Sequence, residues 1–210
     1  MEFNGAQAVS PSPSKHLQKG NSYKMADFTV HTAETAPEGS KPLLEGATAK
    51  YGFTPNLLGV LAESPAALKA YMDISGTVGQ TSFSPTEQQI VLMTASFENE
   101  CTYCMAAHST IATGAGVAPD VIESLRSGSA IADPKLNALA DFTRATVENR
   151  GQVDSAVTAA FLAAGYTNAH ILEVIVGVAQ KVISNYANHF SHNQPDAAFA
   201  PMAWEKPVSV

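Results

Sequence analysis

The chain has 210 residues, a length typical of one domain with or without an extension. Hydrophobic residues make up 45% of it and charged residues 15%, which excludes a chain that is disordered throughout. The formal net charge of −7 argues against nucleic acid as a partner, because phosphates are neutralised by clustered Lys and Arg. The apolar stretches are too short or too interrupted to cross a bilayer, so we expect no membrane partner either.

Residues 1–24 differ in composition from the rest of the chain. They are polar, rich in Ser, Pro and Gly, and lack helical periodicity. This composition predicts a flexible tail, either a native arm or an expression scar in front of a native start at Met25. The segment also lacks the apolar run of a secretory signal. We assign residues 25–210 to a single all-helical domain.

The first strong helix signal is a capping box. Ser84 is the predicted N-cap, Pro85 stands at the first helical position and Glu87 at the third. Pro65, after a Ser, gives a similar start signal. We find no strand alternation and no hairpin sequence with apolar flanks. The sequence therefore predicts an all-α fold, a compact bundle of about eight helices. After the capped helix, further helices are predicted at 101–112, 118–128, 133–149, 154–164 and 167–189.

The residues with the clearest chemical potential lie at 98–108, ENECTYCMAAH. On a helix with about 3.6 residues per turn, Cys101, Cys104 and His108 share an arc of about 60°. With Asn99 as the predicted N-cap, Cys101 falls in the first turn, where free N–H groups and the helix dipole favour an anion. Cys104 is four residues before His108, which could accept its proton or stabilise its thiolate. The pattern leaves open which thiol has the lower pKa.

Such a pair suits redox chemistry better than structural crosslinking. A Cys101–Cys104 disulfide closes too short a loop to stabilise the fold appreciably. A peroxide, however, could oxidise one thiolate to a sulfenic acid, which the other thiol would condense to a disulfide. Two alternatives remain open: buried cysteines that only pack, and a zinc site completed by His189 and His192 through the fold.

Residues 84–108, SPTEQQIVLMTASFENECTYCMAAH, resemble the alkylhydroperoxidase D-like branch of the carboxymuconolactone decarboxylase family. The shared features are a helix, a short break, CxxC, and a His after three further residues, and the likeness extends over most of 42–200. The resemblance implies an all-helical protomer that forms a trimer or hexamer, and a thiol-dependent peroxidase or disulfide oxidoreductase. It implies that Cys104 attacks the peroxide, that Cys101 resolves the product, and that His108 belongs to the proton relay.

The sequence departs from the family pattern at the relay. Members usually carry a Glu twelve residues before the first cysteine, where this chain has Gln89. An amide can form hydrogen bonds but cannot accept a proton near neutral pH. Glu87 is committed to the capping box and lies about 200° around the helix from Gln89, so Glu98 is the alternative carboxylate. Tyr103 occupies a position inside CxxC where some relatives have His. We therefore expect a weakened relay, or one that uses water.

The leading hypothesis is a cytoplasmic hydroperoxidase that cycles between a dithiol and a Cys101–Cys104 disulfide. It would act on a hydroperoxide and need an unidentified thiol or protein reductant, and no motif implies a metal, haem or flavin cofactor. One alternative is a carboxymuconolactone decarboxylase-type lyase, which would need cations to bind a carboxylate substrate. None of Arg126, Arg144 and Arg150 lies beside the motif in sequence. The other alternative is a non-catalytic redox-sensing module.

Overall fold

The computed structural model describes residues 27–208, so the predicted tail at 1–24 lies outside the described residues. Within 27–208 the chain forms nine α-helices and one short 3₁₀ helix, without a strand, which confirms the predicted all-α class. The helices are α1 (Lys41–Tyr51), α2 (Asn56–Leu61), α3 (Pro65–Val78), α4 (Pro85–Glu98), α5 (Thr102–Gly114), α6 (Pro119–Ser127), α7 (Pro134–Glu148), α8 (Ser155–Ala163), α9 (Asn168–Ser191) and the 3₁₀ helix Ala200–Met202.

Several helices begin where the sequence indicated, because side chains satisfy their first N–H groups. The Ser84 side chain accepts from the backbone N–H of Glu87, and the Glu87 carboxylate accepts from the backbone N–H of Ser84 at 2.9 Å. The predicted capping box is therefore confirmed. Ser64 caps α3 and Asp133 caps α7 through their side-chain oxygens alone, which accept from backbone N–H groups of the first turn.

The break between α4 and α5 differs from the prediction. Asn99 ends α4, its N–H bonded to the carbonyl oxygen of Ala95, instead of beginning α5. Glu100 then takes a left-handed conformation with φ 55°, which turns the chain sharply. Cys101 consequently occupies the N-cap position, and α5 begins at Thr102. The prediction that Cys101 lies in the first helical turn was wrong by one position.

Helix α4 is the centre of the molecule and packs against α5, α6, α7 and α9. Every residue at positions 89–96 is buried. The larger apolar cluster surrounds α4 and includes Met105, Leu139, Phe142 and Phe161. A second apolar cluster joins α1, α2 and α3 to the start of α5 and contains both cysteines. The thiols therefore lie within a packed core instead of on a surface loop.

A glycine sets the position of α9. An added Cβ on Gly177 would lie 2.6 Å from Cγ1 of Val91 on α4, closer than packed carbon atoms approach. The absence of a side chain thus allows α9 to lie directly against α4. This close packing carries the following turns of α9, with Lys181, Asn185 and Asn188, over the beginning of α5.

Within residues 27–208, no single helix is both long and apolar enough to cross a membrane. Helices α8 and α9 meet these two criteria only when they are taken together, and a bend of 113° separates them.

Candidate active site

The structure brings the two predicted cysteines together beneath α9. Cys101 and Cys104 are free thiols with exposed fractions of 1% and 2%. The side-chain amide of Asn188 donates towards both sulfurs, 3.4 Å from Sγ of Cys104 and 3.8 Å from Sγ of Cys101. Asn188 is held in turn by Asn193, whose amide donates to its oxygen at 3.2 Å. One amide of α9 therefore organises both sulfurs.

The two thiols differ in acidity because they share one proton. Burial on its own would raise the pKa of Cys104, but the hydrogen bond from the Cys101 thiol and the positive charge of Lys181 lower that pKa well below its usual range. The same hydrogen bond to Cys104, together with burial, raises the pKa of Cys101 strongly. These opposite shifts favour the negative charge on Cys104 and the proton on Cys101.

The cation beside Cys104 is a residue that the sequence did not single out. Lys181 lies on α9 with 0% exposure, where its positive charge interacts with the Cys104 thiolate. Burial works to lower the pKa of Lys181, but the pKa is raised, and the charge of Cys104 is the largest effect that opposes burial. Its Nζ has no hydrogen-bond partner among residues 27–208. In the sequence, Lys181 showed only as a charge that interrupts an apolar run.

His108 shares the cavity of Cys104 but is bonded elsewhere. Its Nδ1 lies 2.9 Å from Oε1 of Gln89, and because an amide oxygen only accepts, Nδ1 carries the proton. Burial and the charge of Lys181 lower the pKa of His108 well below its usual value, so the ring is neutral. None of the hydrogen bonds among residues 27–208 joins His108 to Cys104. Gln89, which stands where the resemblance implies a relay carboxylate, therefore orients His108.

The nearby carboxylates are committed to other contacts. Glu87 accepts from the Tyr166 hydroxyl at 2.9 Å and lies 3.3 Å from Nζ of Lys135. Glu98, the predicted alternative relay group, accepts from Nε of Arg144 at 2.8 Å. The described residues that line the Cys104 cavity include neither Asp nor Glu. A carboxylate-based proton relay therefore has no candidate among them.

Tyr103, between the two cysteines, has a structural role. Its hydroxyl donates to Oδ2 of Asp196 and accepts from the backbone N–H of Leu57 at 3.3 Å. Asp196 also accepts from the backbone N–H of Asn56 at 3.0 Å. Burial, and then the bond to Asp196, raise the pKa of Tyr103, so the phenol stays neutral. Tyr103 therefore ties CxxC to α2 and to the C-terminal segment.

The two thiols open onto different spaces. Cys104 borders a cavity of about 340 Å³ with mostly apolar walls. Cys101 borders a polar groove of about 540 Å³. Tyr103 lines both spaces and so forms part of the wall between them. The cavity is also lined by His108, Gln180, Lys181 and the aromatic residues Tyr51, Phe53, Tyr71 and Phe199.

The histidines considered for a zinc site are placed near Cys101. His189 and His192 both line the polar groove. Within residues 27–208, however, no three His, Cys, Asp or Glu side chains are grouped so that they could hold a metal ion. His170 has a separate function as a helix cap, since its Nδ1 accepts from the backbone N–H of Thr167 at 3.0 Å.

Two of the arginines considered for carboxylate binding are used within the fold. Arg126 donates to Oγ of Ser109 at 2.9 Å and to two backbone carbonyl oxygens of the C-terminal segment. Arg144 bonds Glu98 and Asp141 at 2.8 Å each. Arg150 is exposed in the turn after α7. None of the three lines the Cys104 cavity.

Solved structures with the same fold are similar along most of the chain. A peroxidase-related protein from Ralstonia eutropha JMP134, described as an alkylhydroperoxidase AhpD core, has a TM-score of 0.73 and 20% identity, covering 84% of this chain and 95% of its own. A peroxidase-related protein from Silicibacter sp. TM1040 has a TM-score of 0.70 and 19% identity, covering 85% and 97%. The debrominase Bmp8, solved in complex with 2,3,4-tribromopyrrole, has a TM-score of 0.69 and 17% identity, covering 83% and 94%.

The match to a family of sequences covers a smaller part of the chain than the structural matches do. No curated protein matches the chain significantly. Residues 65–145, which include α4, both cysteines and His108, match the carboxymuconolactone decarboxylase family. At their low identities the solved structures establish the fold alone, and that fold is shared with AhpD-like proteins. The resemblance that the sequence indicated is therefore confirmed: the chain has the AhpD-like all-α fold, and its residues 65–145 carry the match to the carboxymuconolactone decarboxylase family.

Proposed function

We propose that the protein is a thiol-dependent hydroperoxidase in which Cys104 attacks and Cys101 resolves. The observation that carries this proposal is a pair of free thiols held by the amide of Asn188, with Cys104 at the wall of an apolar cavity that Lys181 also lines. The lowered pKa of Cys104 and the raised pKa of Cys101 support the same assignment. The thiolate is the nucleophilic form of cysteine. A thiolate that is held beside a neutral thiol supports an attacking and a resolving partner in one helical turn.

The reaction balances with these two residues. The Cys104 thiolate attacks the terminal oxygen of a hydroperoxide, the O–O bond breaks, and Cys104 sulfenic acid and an alkoxide form. The alkoxide takes a proton and leaves as an alcohol. Cys101 then attacks the Cys104 sulfur, and water leaves as the disulfide forms. A small thiol or a protein dithiol of the cytoplasm returns two electrons through thiol–disulfide exchange.

His108 has a smaller role here than the family resemblance implies. The ring is neutral, with its Nδ1 proton held by Gln89. Its Nε2 can accept a proton, but no carboxylate stands behind Nδ1 to stabilise the imidazolium that would result. We assign His108 to the proton movements around the site, with Gln89 fixing its tautomer.

The two alternative functions have weaker support. A carboxymuconolactone decarboxylase-type lyase would need cations for its carboxylate substrate, but Arg126 and Arg144 are bonded within the fold. Lys181 is a cation in the cavity, yet its charge already interacts with the Cys104 thiolate. A non-catalytic redox-sensing module would use the same cysteines and differs in lacking turnover.

We also propose that the protein forms a homo-oligomer, a trimer or a hexamer. The outer face of α9 exposes a row of large apolar side chains, and its inner face carries the site residues. Burial of such a row against another copy would remove apolar area from water. Sedimentation velocity should then give a mass of three or six chains, whereas a monomer would contradict the proposal. The row consists of Leu172, Ile175, Val182, Tyr186 and Phe190.

The hydroperoxidase proposal is tested by intact-mass spectrometry of the reduced protein after one equivalent of cumene hydroperoxide, with peroxide loss followed in parallel. We expect a loss of two hydrogen masses, a bond mapped to Cys101–Cys104, and repeated peroxide consumption once a dithiol reductant is added. Thiols that stay reduced while the peroxide persists would contradict the proposal. Oxidation without turnover, across a panel of dithiols, would favour the redox-sensing module.

A further inference from the structure

Two buried polar atoms in the Cys104 cavity lack partners within the described chain. They are Nζ of Lys181 and Oε1 of Gln180, on residues that are 0% and 3% exposed. Both residues line the cavity. A buried polar group without a partner is destabilising, so such atoms are expected to serve a ligand or a reaction step. The ammonium in particular keeps free protons beside the Cys104 sulfur.

The proposed reaction needs a proton at this place. Cleavage of the O–O bond by Cys104 produces an alkoxide, a strong base that leaves readily only when it is protonated. His108 is a poor source, because its neutral ring holds one proton and Gln89 accepts that proton in a hydrogen bond. Among residues 27–208, those that line the cavity include no carboxyl group. A different acid is required.

We propose that Lys181 is the general acid of the site, whose Nζ gives a proton to the departing alkoxide as the O–O bond breaks. This inference rests on the proposed function. It makes Lys181, on α9, the source of the proton instead of His108. Thiolate, hydroperoxide and ammonium become sulfenic acid, alcohol and neutral amine. When a dithiol later reduces the disulfide, Cys104 leaves as a thiolate and the released proton returns to Lys181, so the cycle closes.

The charge on Cys104 determines when Lys181 releases its proton. Burial works to lower the pKa of Lys181, and the thiolate of Cys104 is the main charge that opposes it. During attack the negative charge moves from the Cys104 sulfur to the leaving oxygen. The group that kept Lys181 protonated then disappears, while a stronger base forms within the same cavity. The proton is therefore held before the attack and released during it.

The test compares two oxidants that differ in their leaving groups. Cumene hydroperoxide releases an alkoxide, whereas peracetic acid releases acetate, which needs no proton. Lys181→Arg keeps the charge beside Cys104 but gives up no proton, since the pKa of Arg exceeds about 12. We expect rapid-mixing rates of Cys104 oxidation to fall about 100-fold or more with cumene hydroperoxide. The rate with peracetic acid should change far less, so the ratio of the two rates carries the result.

The control is Lys50→Met, which removes an exposed lysine at the rim of the same cavity. Its ratio of the two rates should equal that of the parent protein. Equal losses with both oxidants in Lys181→Arg would overturn the proposal and limit Lys181 to stabilising the thiolate. Failure of the proposed function is distinct, because the parent protein would then leave cumene hydroperoxide intact, or would be oxidised by it without turnover when a dithiol is added.

A measurement on the parent protein covers the case in which Lys181→Arg does not fold. Proton transfer in the rate-limiting step slows in deuterium oxide. We expect a normal solvent isotope effect on Cys104 oxidation by cumene hydroperoxide and none with peracetic acid. The same isotope effect with both oxidants, or no effect with either, would overturn the proposal.

Discussion

Nδ1 of His108 lies 2.9 Å from the amide oxygen of Gln89, and this contact decides what the histidine can do. The amide holds the ring in one tautomer, with Nε2 left as the acceptor. It cannot take up the Nδ1 proton, as a carboxylate could. A histidine that belongs to a proton relay by resemblance is here oriented by a neutral group, and the nearby charge comes from Lys181.

Restoring a carboxylate at this position should strengthen the relay. In Gln89→Glu the new side chain would accept from Nδ1 of His108 and raise the pKa of the ring, so that His108 could hold and give a proton near neutral pH. We expect oxidation of Cys104 by hydroperoxide to become about 10-fold faster. Gln89→Leu is the control, since it removes the hydrogen bond without adding a base and should give no gain. An unchanged rate in Gln89→Glu would place this residue outside the reaction.

The two cysteines should give different products when replaced singly. Cys104→Ser removes the thiolate, so peroxide consumption should stop. Cys101→Ser keeps the attacking sulfur but removes the resolving one, so a Cys104 sulfenic acid should accumulate and be trapped by dimedone. Mass spectrometry of the labelled protein separates the two outcomes. If both variants consumed peroxide like the parent protein, the assigned roles would be wrong.

The lowered pKa of Cys104 predicts its pH dependence. An acid with a lowered pKa is deprotonated over a wider range, so the thiolate should persist at neutral pH and disappear only as the pH falls through that lowered value. Ordinary thiols lose their thiolate below about pH 8.5. Ultraviolet absorbance of the thiolate, taken as the difference between the parent protein and Cys104→Ser, measures this transition.

Removal of the neighbouring charge should shift the same titration. Lys181→Met withdraws the positive charge that lowers the pKa of Cys104, so the loss of thiolate absorbance should move to higher pH. Lys69→Met is the control, because Lys69 is exposed on α3 and pairs with Asp73. A titration unchanged in Lys181→Met would show that Cys101 and the remaining contacts suffice to stabilise the thiolate.

Close packing at Gly177 can be tested by stability. In Gly177→Ala the new methyl group would collide with Val91, so we expect the free energy of unfolding to fall by about 1–3 kcal/mol in urea denaturation. Because Asn188 lies further along the same helix, the bond to Cys104 should lengthen and its oxidation should slow. Gly114→Ala is the matched control: a Cβ there meets nothing within 4 Å. Equal stability of the two variants would contradict the packing argument.

Local signals account for the parts of the fold that the sequence predicted. The capping box of Ser84 and Glu87 depends on residues within one helical turn, as does the sharing of a helix by Cys104 and His108. The misplaced start of α5 shows the limit of such reasoning. Asn99 has the composition of an N-cap, but the turn through Glu100 moved the helix start past it.

The remainder of the site depends on contacts between distant segments. Asn188 is 84 residues from Cys104 in sequence, and Lys181 is brought to the same sulfur only because α9 packs against α4. No spacing within α9 marks either residue as functional. From the sequence alone, a lysine in an apolar run only interrupts the amphipathic pattern of a helix. The fold is needed to show that Lys181 lies next to Cys104.

Tyr103 lines both the cavity of Cys104 and the groove of Cys101, and these two spaces bear on the order of events in the proposed turnover. In the proposed mechanism the hydroperoxide would reach Cys104 from the cavity, and the reductant would reach Cys101 from the groove. The alcohol product need not depart before a reductant arrives. A high concentration of hydroperoxide should therefore not block the reductant, and a high concentration of reductant should not block the hydroperoxide. We expect no mutual competitive inhibition, which is common when two reactants use the same entrance in turn.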